Sequence, residues 1–242
     1  VHTLVIDEFD KCLELGFRDE LEELISALPA VRRRVLLSAT DAEEIPDFLS
    51  LAESGAGVCR LDFLDTGTNE ERLALCQVAS PAKDKLETLL RLLCALGDTP
   101  SLVFVNHRES VERIARFLRE KRYPCAAFHG GMEQDDRERA LYKFRNGTSV
   151  ALVCTDLAAR GLDIEGVGAV IHYHLPLQAD AFTHRNGRTA RWTATGTAYV
   201  ILGPEEKLPG YVEGDVPVFA LPEKPAPIPR PVWATLYIGK GK

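Results

Sequence analysis

Between residues 75 and 202 short apolar runs alternate with helical stripes, and this alternation constrains the fold more than any other feature of the sequence. Residues 75–78, 101–105, 125–128, 150–154, 169–173 and 197–202 read as strands, because brief and largely apolar runs suit positions covered on both faces. Between them, 84–96, the stretch carrying Val111, Ile114, Ala115 and Leu118, 134–144 and 179–190 read as helices. Such alternation builds an α/β fold: a parallel sheet with helices on both faces. Ligands of these sheets bind beyond the C-terminal strand ends. The polar clusters of this sequence fall at those ends.

Residues 1–62 read as a shorter stretch of the same kind. The run 1–6 is mainly apolar and reads as a strand covered on both faces, and 35–37 and 58–63 supply two more strands. Leu21, Leu24, Ile25 and Leu28 form a helical stripe over 19–28 that stops at Pro29. Three parallel strands would leave an edge open, so this part reads as the closing portion of an α/β domain. The chain starts inside a strand without an initiator Met, which predicts a piece of a longer protein. The polar stretch 63–73, with Gly67, Thr68 and Asn69, reads as a linker, and 74–203 as the second domain. From 204 to 242 the composition changes to a tail: Pro225, Pro227, Pro229 and Pro231 predict an extended spacer, followed by an aromatic and basic end.

Composition narrows the classes. A length of 242 residues, 45% hydrophobic, is ample for one or two cores. No apolar run nears the roughly 18 residues of a membrane span, and nothing reads as a signal peptide. The six cysteines form no C-x₂-C pair, so they read as buried thiols in a reducing cytoplasm rather than zinc ligands or disulfides. A net charge of −7 excludes a broadly basic surface, so any nucleic-acid site must be a local groove.

Two clusters carry chemistry. Asp7-Glu8-Phe9-Asp10 closes the first strand, and a carboxylate pair there can hold a hydrated Mg²⁺ and steer a water. Far downstream, His184, Arg188 and Arg191 share one face of a helix at i, i+4 and i+7, and two such arginines can reach a phosphate site. Together they read as two lips of a nucleotide-hydrolysing cleft. No G-x-x-x-x-G-K-[ST] phosphate loop occurs in the chain, so the part that grips a triphosphate is absent. Plain structural alternatives remain open: an acidic strand-end turn, a basic helix face, and a surface helix turn at Gln134. His2, His107, His172 and His174 lack partners at metal spacing and read as packing or surface residues.

These motifs, in this order, resemble the second half of a DEAD-box RNA helicase from residue 1 to about 202. Asp7 to Asp10 resembles the motif that names the family, with Phe9 where alanine is usual. Ser38-Ala39-Thr40 resembles its coupling motif, and Phe104-Val105-Asn106 its fourth motif. Thr155-Asp156-Leu157-Ala158-Ala159-Arg160-Gly161-Leu162-Asp163 is similar to its fifth, and His184 to Arg191 to its sixth, with Thr189-Ala190 where Ser-Gly is commoner.

The resemblance implies the C-terminal piece of a first RecA-like domain followed by a second RecA-like domain, the helicase C-terminal domain. It implies ATP and Mg²⁺ as cofactors, with Asp7 on the metal through water and Glu8 activating the attacking water. Arg188 and Arg191 would be arginine fingers, and Asp163 would face the ribose. Asp10, Ser38, Thr40 and His184 would couple the sites. Gly130, Gln134, Arg137 and Thr155 would contact RNA, a single strand or short duplex, through its backbone. The implied activity is ATP-driven local unwinding of RNA, silent in this chain alone for want of the phosphate loop. A non-catalytic RNA-binding module and a related DNA helicase stay open as alternatives, and protein partners are unknown.

Overall fold

The computed structural model describes residues 1–14, 16–38, 49, 59–62, 73–159, 167–189 and 195–230. The chain divides into two compact units, Val1–Gly67 and Thr68–Lys242. Of the linker expected over 63–73 only Leu73 is described, and it begins a strand; the aromatic, basic end of the tail lies outside the described residues.

In the first unit, β1 (Thr3–Ile6) pairs in parallel with β2 (Arg33–Leu36), Thr3 opposite Arg33 and Ile6 opposite Leu36. Between them run α1 (Phe9–Glu14) and α2 (Arg18–Ser26). Ile6, Phe9, Ile25 and Leu49 form the core, joined by Leu4, Leu13 and Leu36. Two expectations are corrected here. β1 is not covered on both faces, since Val5 is 55% exposed: among the described residues only one side of this pair carries helices. Cys59 to Asp62 form no strand, and the flanking residues of the expected third strand are not described.

The second unit holds a six-stranded parallel sheet in the order β3-β8-β7-β4-β6-β5. Its strands are β3 (Leu73–Ala79), β4 (Ser101–Phe104), β5 (Cys125–Phe128), β6 (Ala151–Cys154), β7 (Ala169–His172) and β8 (Gly196–Leu202). Between them lie α3 (Leu86–Leu96), α4 (Arg108–Glu120), α5 (Gln134–Arg145), α6 (Asp156–Ala159) and α7 (Ala179–Asn186). Every residue of β4, β6 and β7 is buried, which is why these strands read as largely apolar runs.

Alternation along each strand sorts the core into two layers. Val103, Val153 and Ile171 point to the layer where Leu89, Leu92 and Leu93 of α3 meet Val111, Ile114 and Leu118 of α4. Leu102, Phe104, Leu152 and Val170 point to the other, closed by Ala140 and Phe144 of α5. Each fully buried leucine contributes about 1.5–3 kcal/mol, so the i, i+3, i+4 leucines of α3 alone hold that helix firmly on the sheet.

Beyond β8 the chain stays with the domain. Lys85 Nζ donates to Ile201 O (3.0 Å) and pairs with Glu206 at 2.7 Å, pinning the turn after the strand. Val218 then bridges in parallel to Gln77 of β3, while Phe219, Leu221 and Ala226 pack on the α3–α4 layer. The proline-rich stretch up to residue 230 forms neither helix nor strand, and it is no free spacer, because apolar side chains at both its approach and its start find a face to cover.

Candidate functional site

The C-terminal ends of three adjacent strands, β7, β4 and β6, converge on one side chain. Arg185 of α7 is 1% exposed. Its Nε and Nη2 donate to the two carboxylate oxygens of Asp156 at 2.6 and 2.7 Å, a bidentate pair. Nη2 also donates to Asn106 Oδ1 at 2.9 Å and Nη1 to His174 O at 2.6 Å, while the guanidinium lies 5.2 Å from the Phe104 ring centroid. Four of the five N–H donors are thus engaged. Asn106 follows β4, Asp156 follows β6 and His174 follows β7, so one buried cation ties three loops and a helix into a rigid body.

A second tether sits beneath it. His172, at the end of β7, stacks on Phe182 of α7 at 4.5 Å and bonds Asn186 Oδ1 through Nε2 at 2.8 Å. Burial pushes its pKa down to about 3, so the ring is neutral and the acceptor on Asn186 assigns its proton to Nε2. Phe182, Arg185 and Asn186 are the buried residues of α7, an i, i+3, i+4 set facing the sheet. The opposite side presents His184.

His184 and Arg188 line an open pocket with Phe104, Asp156, Ala159 and Arg185. The helix is shorter than the spacing predicts: it ends at Asn186, with Gly187 N–H closing on Thr183 O at 2.8 Å. Arg188 lies one residue into the following turn, held by Arg188 N–H on Arg185 O (3.1 Å), and Thr189 is anchored by its hydroxyl on Val167 O at 2.6 Å. The turn still brings Arg188 into the same pocket as His184. The His184 side chain makes no hydrogen bond among the described residues. Arg191 and Asp163 lie outside the described residues.

On the other flank, His129 organises the loop after β5. Its Nδ1 accepts Gly131 N–H at 3.2 Å, so Nε2 carries the proton and donates to Glu112 Oε1 at 2.8 Å. Gly130 is exposed, and a Cβ there would meet nothing within 4 Å. The glycine therefore answers no packing need of this domain, and the space over its backbone is open. Gln134 opens α5 with its amide on Glu138 Oε1 at 2.9 Å. Arg137 lies 5.2 Å from the Phe128 ring centroid, and its buried Nε has no hydrogen-bond partner. Asp135 and Asp136 occupy the first turn of α5, so the helix end repels an anion and any phosphate grip falls to the side chains of Arg137 and Gln134. The Thr155 carbonyl accepts Ala159 N–H to start α6, leaving a half-buried hydroxyl that makes no bond among the described residues.

In the first unit, Asp7 stands exposed at the end of β1, its Oδ1 accepting Glu8 N–H at 3.0 Å. Glu8 has φ +49°, a left-handed conformation that costs a non-glycine residue about 1–2 kcal/mol. Phe9 N–H on Leu37 O (3.2 Å) and Leu37 N–H on Ile6 O (2.9 Å) lock the motif to the strand that leads into Ser38. Asp10 is buried, and Thr40 lies outside the described residues. Phe9 is 5% exposed within the core cluster. Its bulk fills that core.

A model of the DEAD/DEAH box helicase matches residues 1–48, and one of the helicase conserved C-terminal domain matches 84–193. The DEAD-box ATP-dependent RNA helicase RhpA of Helicobacter pylori is 30% identical over 228 residues, covering 91% of this chain and 45% of RhpA. The chain belongs to the DEAD-box helicases. It is also 34% identical to the ATP-dependent RNA helicase DbpA of Escherichia coli over 206 residues, 85% of this chain and 44% of DbpA. Among solved structures, Saccharomyces cerevisiae Dbp5 bound to RNA and ADP BeF3 superposes with a TM-score of 0.68 at 25% identity, over 85% of this chain and 54% of Dbp5. The DEAD-box chain thus spans about 45% of the length of such curated relatives. Sequence reading of its motifs passed over Arg185, Asp156 and His172 as functional positions. The available signal was the Phe182, Arg185, Asn186 spacing, which turns an arginine inward.

Proposed function

We propose that this chain is the C-terminal portion of an ATP-dependent RNA helicase that couples ATP binding and hydrolysis to local unwinding of an RNA duplex. The observation that carries the reading is the Arg185 knot. It joins the loop of Thr155 and Asp156 to the helix of His184 and the turn of Arg188, so that a phosphodiester bound at Thr155 and a nucleotide phosphate reached by Arg188 act on one rigid body.

The roles follow from chemistry. Glu8 orients and deprotonates the attacking water, in a backbone conformation retained despite its cost. Arg188 and Arg191 stabilise the charge that develops on the γ-phosphate, worth about 10³–10⁵-fold in other nucleotide hydrolases. Asp163 faces the ribose. Asp10, Ser38, Thr40 and His184 pass the nucleotide state between domains. Gly130, Gln134, Arg137 and Thr155 hold the RNA backbone with little base readout. Among the described residues no cluster of three or more His, Cys, Asp or Glu could hold a metal. The exposed Asp7 carboxylate fits instead an Mg²⁺ that keeps most of its water shell. Such an ion supplies charge neutralisation between phosphate oxygens.

Among the described residues no helix is long and apolar enough to cross a membrane. All six cysteines are free thiols, which supports a cytoplasmic setting. The chain alone turns over little or no ATP. RNA-stimulated ATP hydrolysis, measured on the chain and on its full-length parent, tests this: activity in the parent only is expected, and turnover by the chain would overturn the division of the site. Replacing RNA by DNA of the same sequence separates the helicase classes, since only RNA presents the 2′-hydroxyl.

A further inference from the structure

The segment after β8 reaches back to the helix that carries His184. Tyr211 Oη donates to Pro176 O at 2.6 Å, in the loop that leads into α7. The Tyr211 ring lies 5.6 Å from that of Phe182, which itself stacks on His172 at 4.5 Å. His172 in turn bonds Asn186, the last residue of α7. One tyrosine therefore touches the approach to the helix and its inward face, and through His172 it reaches the helix end.

The other end of the segment is anchored on the far edge of the sheet. Gln77 of β3 donates its backbone N–H to Pro217 O (2.9 Å), accepts Phe219 N–H (2.8 Å), and donates its side-chain amide to Val216 O (2.8 Å). Phe219 meets Tyr199 of β8 edge-on at 5.3 Å, and Arg91 of α3 donates to Pro222 O at 2.6 Å. Val216 is buried. Three bonds from one glutamine and an aromatic pair fix residues 216–222 to the sheet, so Tyr211 projects from a held support rather than from a loose tail.

We propose that residues 209–222 form a clamp in which Tyr211 is the positioning residue for α7, setting the orientation from which His184 and Arg188 work. The mechanical part stands on the contacts alone; its effect on turnover rests on the role given to Arg188 above. Without the clamp, α7 keeps the Arg185 knot and the His172 tether but loses its outer support, and its opening becomes easier.

Amide hydrogen exchange of the 242-residue chain tests the clamp. Tyr211→Phe keeps the ring and removes one hydrogen bond, so exchange across 179–186 rises about fivefold. Tyr211→Ala also removes the aromatic contact and raises it about tenfold or more. Phe219→Ala, which frees the far anchor, moves the same amides in the same direction. In all three, β4, β6 and α4 keep their protection. Unchanged exchange in 179–186, or an equal rise throughout the domain, would overturn the proposal; if the alanine variant fails to fold, Tyr211→Phe decides. In the full-length parent, Tyr211→Phe lowers kcat of RNA-stimulated hydrolysis about fivefold and leaves KM for ATP within about twofold. A loosened α7 with unaltered kcat would uphold the clamp and count against Arg188 as the hydrolytic arginine.

Discussion

His172 and Asn186 are joined by a 2.8 Å hydrogen bond from Nε2 to Oδ1, made by a ring too deeply buried to carry a charge readily. Burial holds its pKa at about 3, and its neighbour His174 is pushed down to about 4, by burial first and then by Lys85. Both lie below the unfolded value of 6.5. The unfolded chain therefore takes up protons first as pH falls. The stability these groups lend is complete above pH 6.5 and is lost progressively toward their folded values.

The expected outcome is a fall in unfolding free energy between pH 6.5 and 5, with His172 alone accounting for about 2 kcal/mol at the limiting slope of roughly 1.4 kcal/mol per pH unit. Urea titrations at the two pH values measure it. His172→Gln keeps a donor for Asn186 but cannot titrate, and should flatten the profile by that amount. An equally steep profile in the variant would remove His172 as the cause.

Arg185→Lys retains the charge but not the fork. It cannot reach both Asp156 oxygens, Asn106 and the His174 carbonyl together, so partly buried acceptors lose their donors. A loss of about 3 kcal/mol is expected from the urea midpoint. A change under about 1 kcal/mol would mean that the three loops hold their places without the knot.

Glu8 sets stability against turnover. Glu8→Gly relieves the left-handed backbone and should stabilise the first unit by about 0.5–1 kcal/mol, whereas Glu8→Ala keeps the strain and should not. In the full-length parent, both lose hydrolysis while ATP binding persists, and Glu8→Gln does the same. Thermal unfolding beside ATPase assays separates the effects; normal turnover in Glu8→Gln would sink the assignment of Glu8.

Gly130→Ala adds a methyl group to open space. The melting temperature should be unchanged, and RNA affinity should fall about tenfold or more if a nucleic-acid backbone passes over this loop at close range, a tenfold loss being about 1.4 kcal/mol. Fluorescence anisotropy with a short single strand reads this directly. Equal affinity would take the RNA path away from Gly130.

Much of the second domain was legible because buried parallel strands announce themselves as short apolar runs. The strand over 125–128 is where the sequence predicts it, and the stripe of Val111, Ile114, Ala115 and Leu118 is the buried face of α4. Local pattern could not show α1 or α6, which are too short for a periodicity to build up. The docking of Val218 on Gln77 depends on residues 141 apart in sequence, beyond any window of periodicity. The motif residues were legible by order and type, yet Arg185 was not. Its chemistry looks like that of its neighbours until the fold turns it inward, and Phe9 likewise shows its reason only in the core.

The contact between Gln77 and Val218 also decides where this domain can be cut. Shortening the chain after Leu202 would strip residues 216–219 from β3 and uncover the N–H, the carbonyl and the side-chain amide of Gln77 on the outer edge of the sheet. Bare strand edges recruit other strands, so such a truncated product would come out of solution as clumps or paired copies. A soluble, single-copy domain calls for a terminus beyond Ala226.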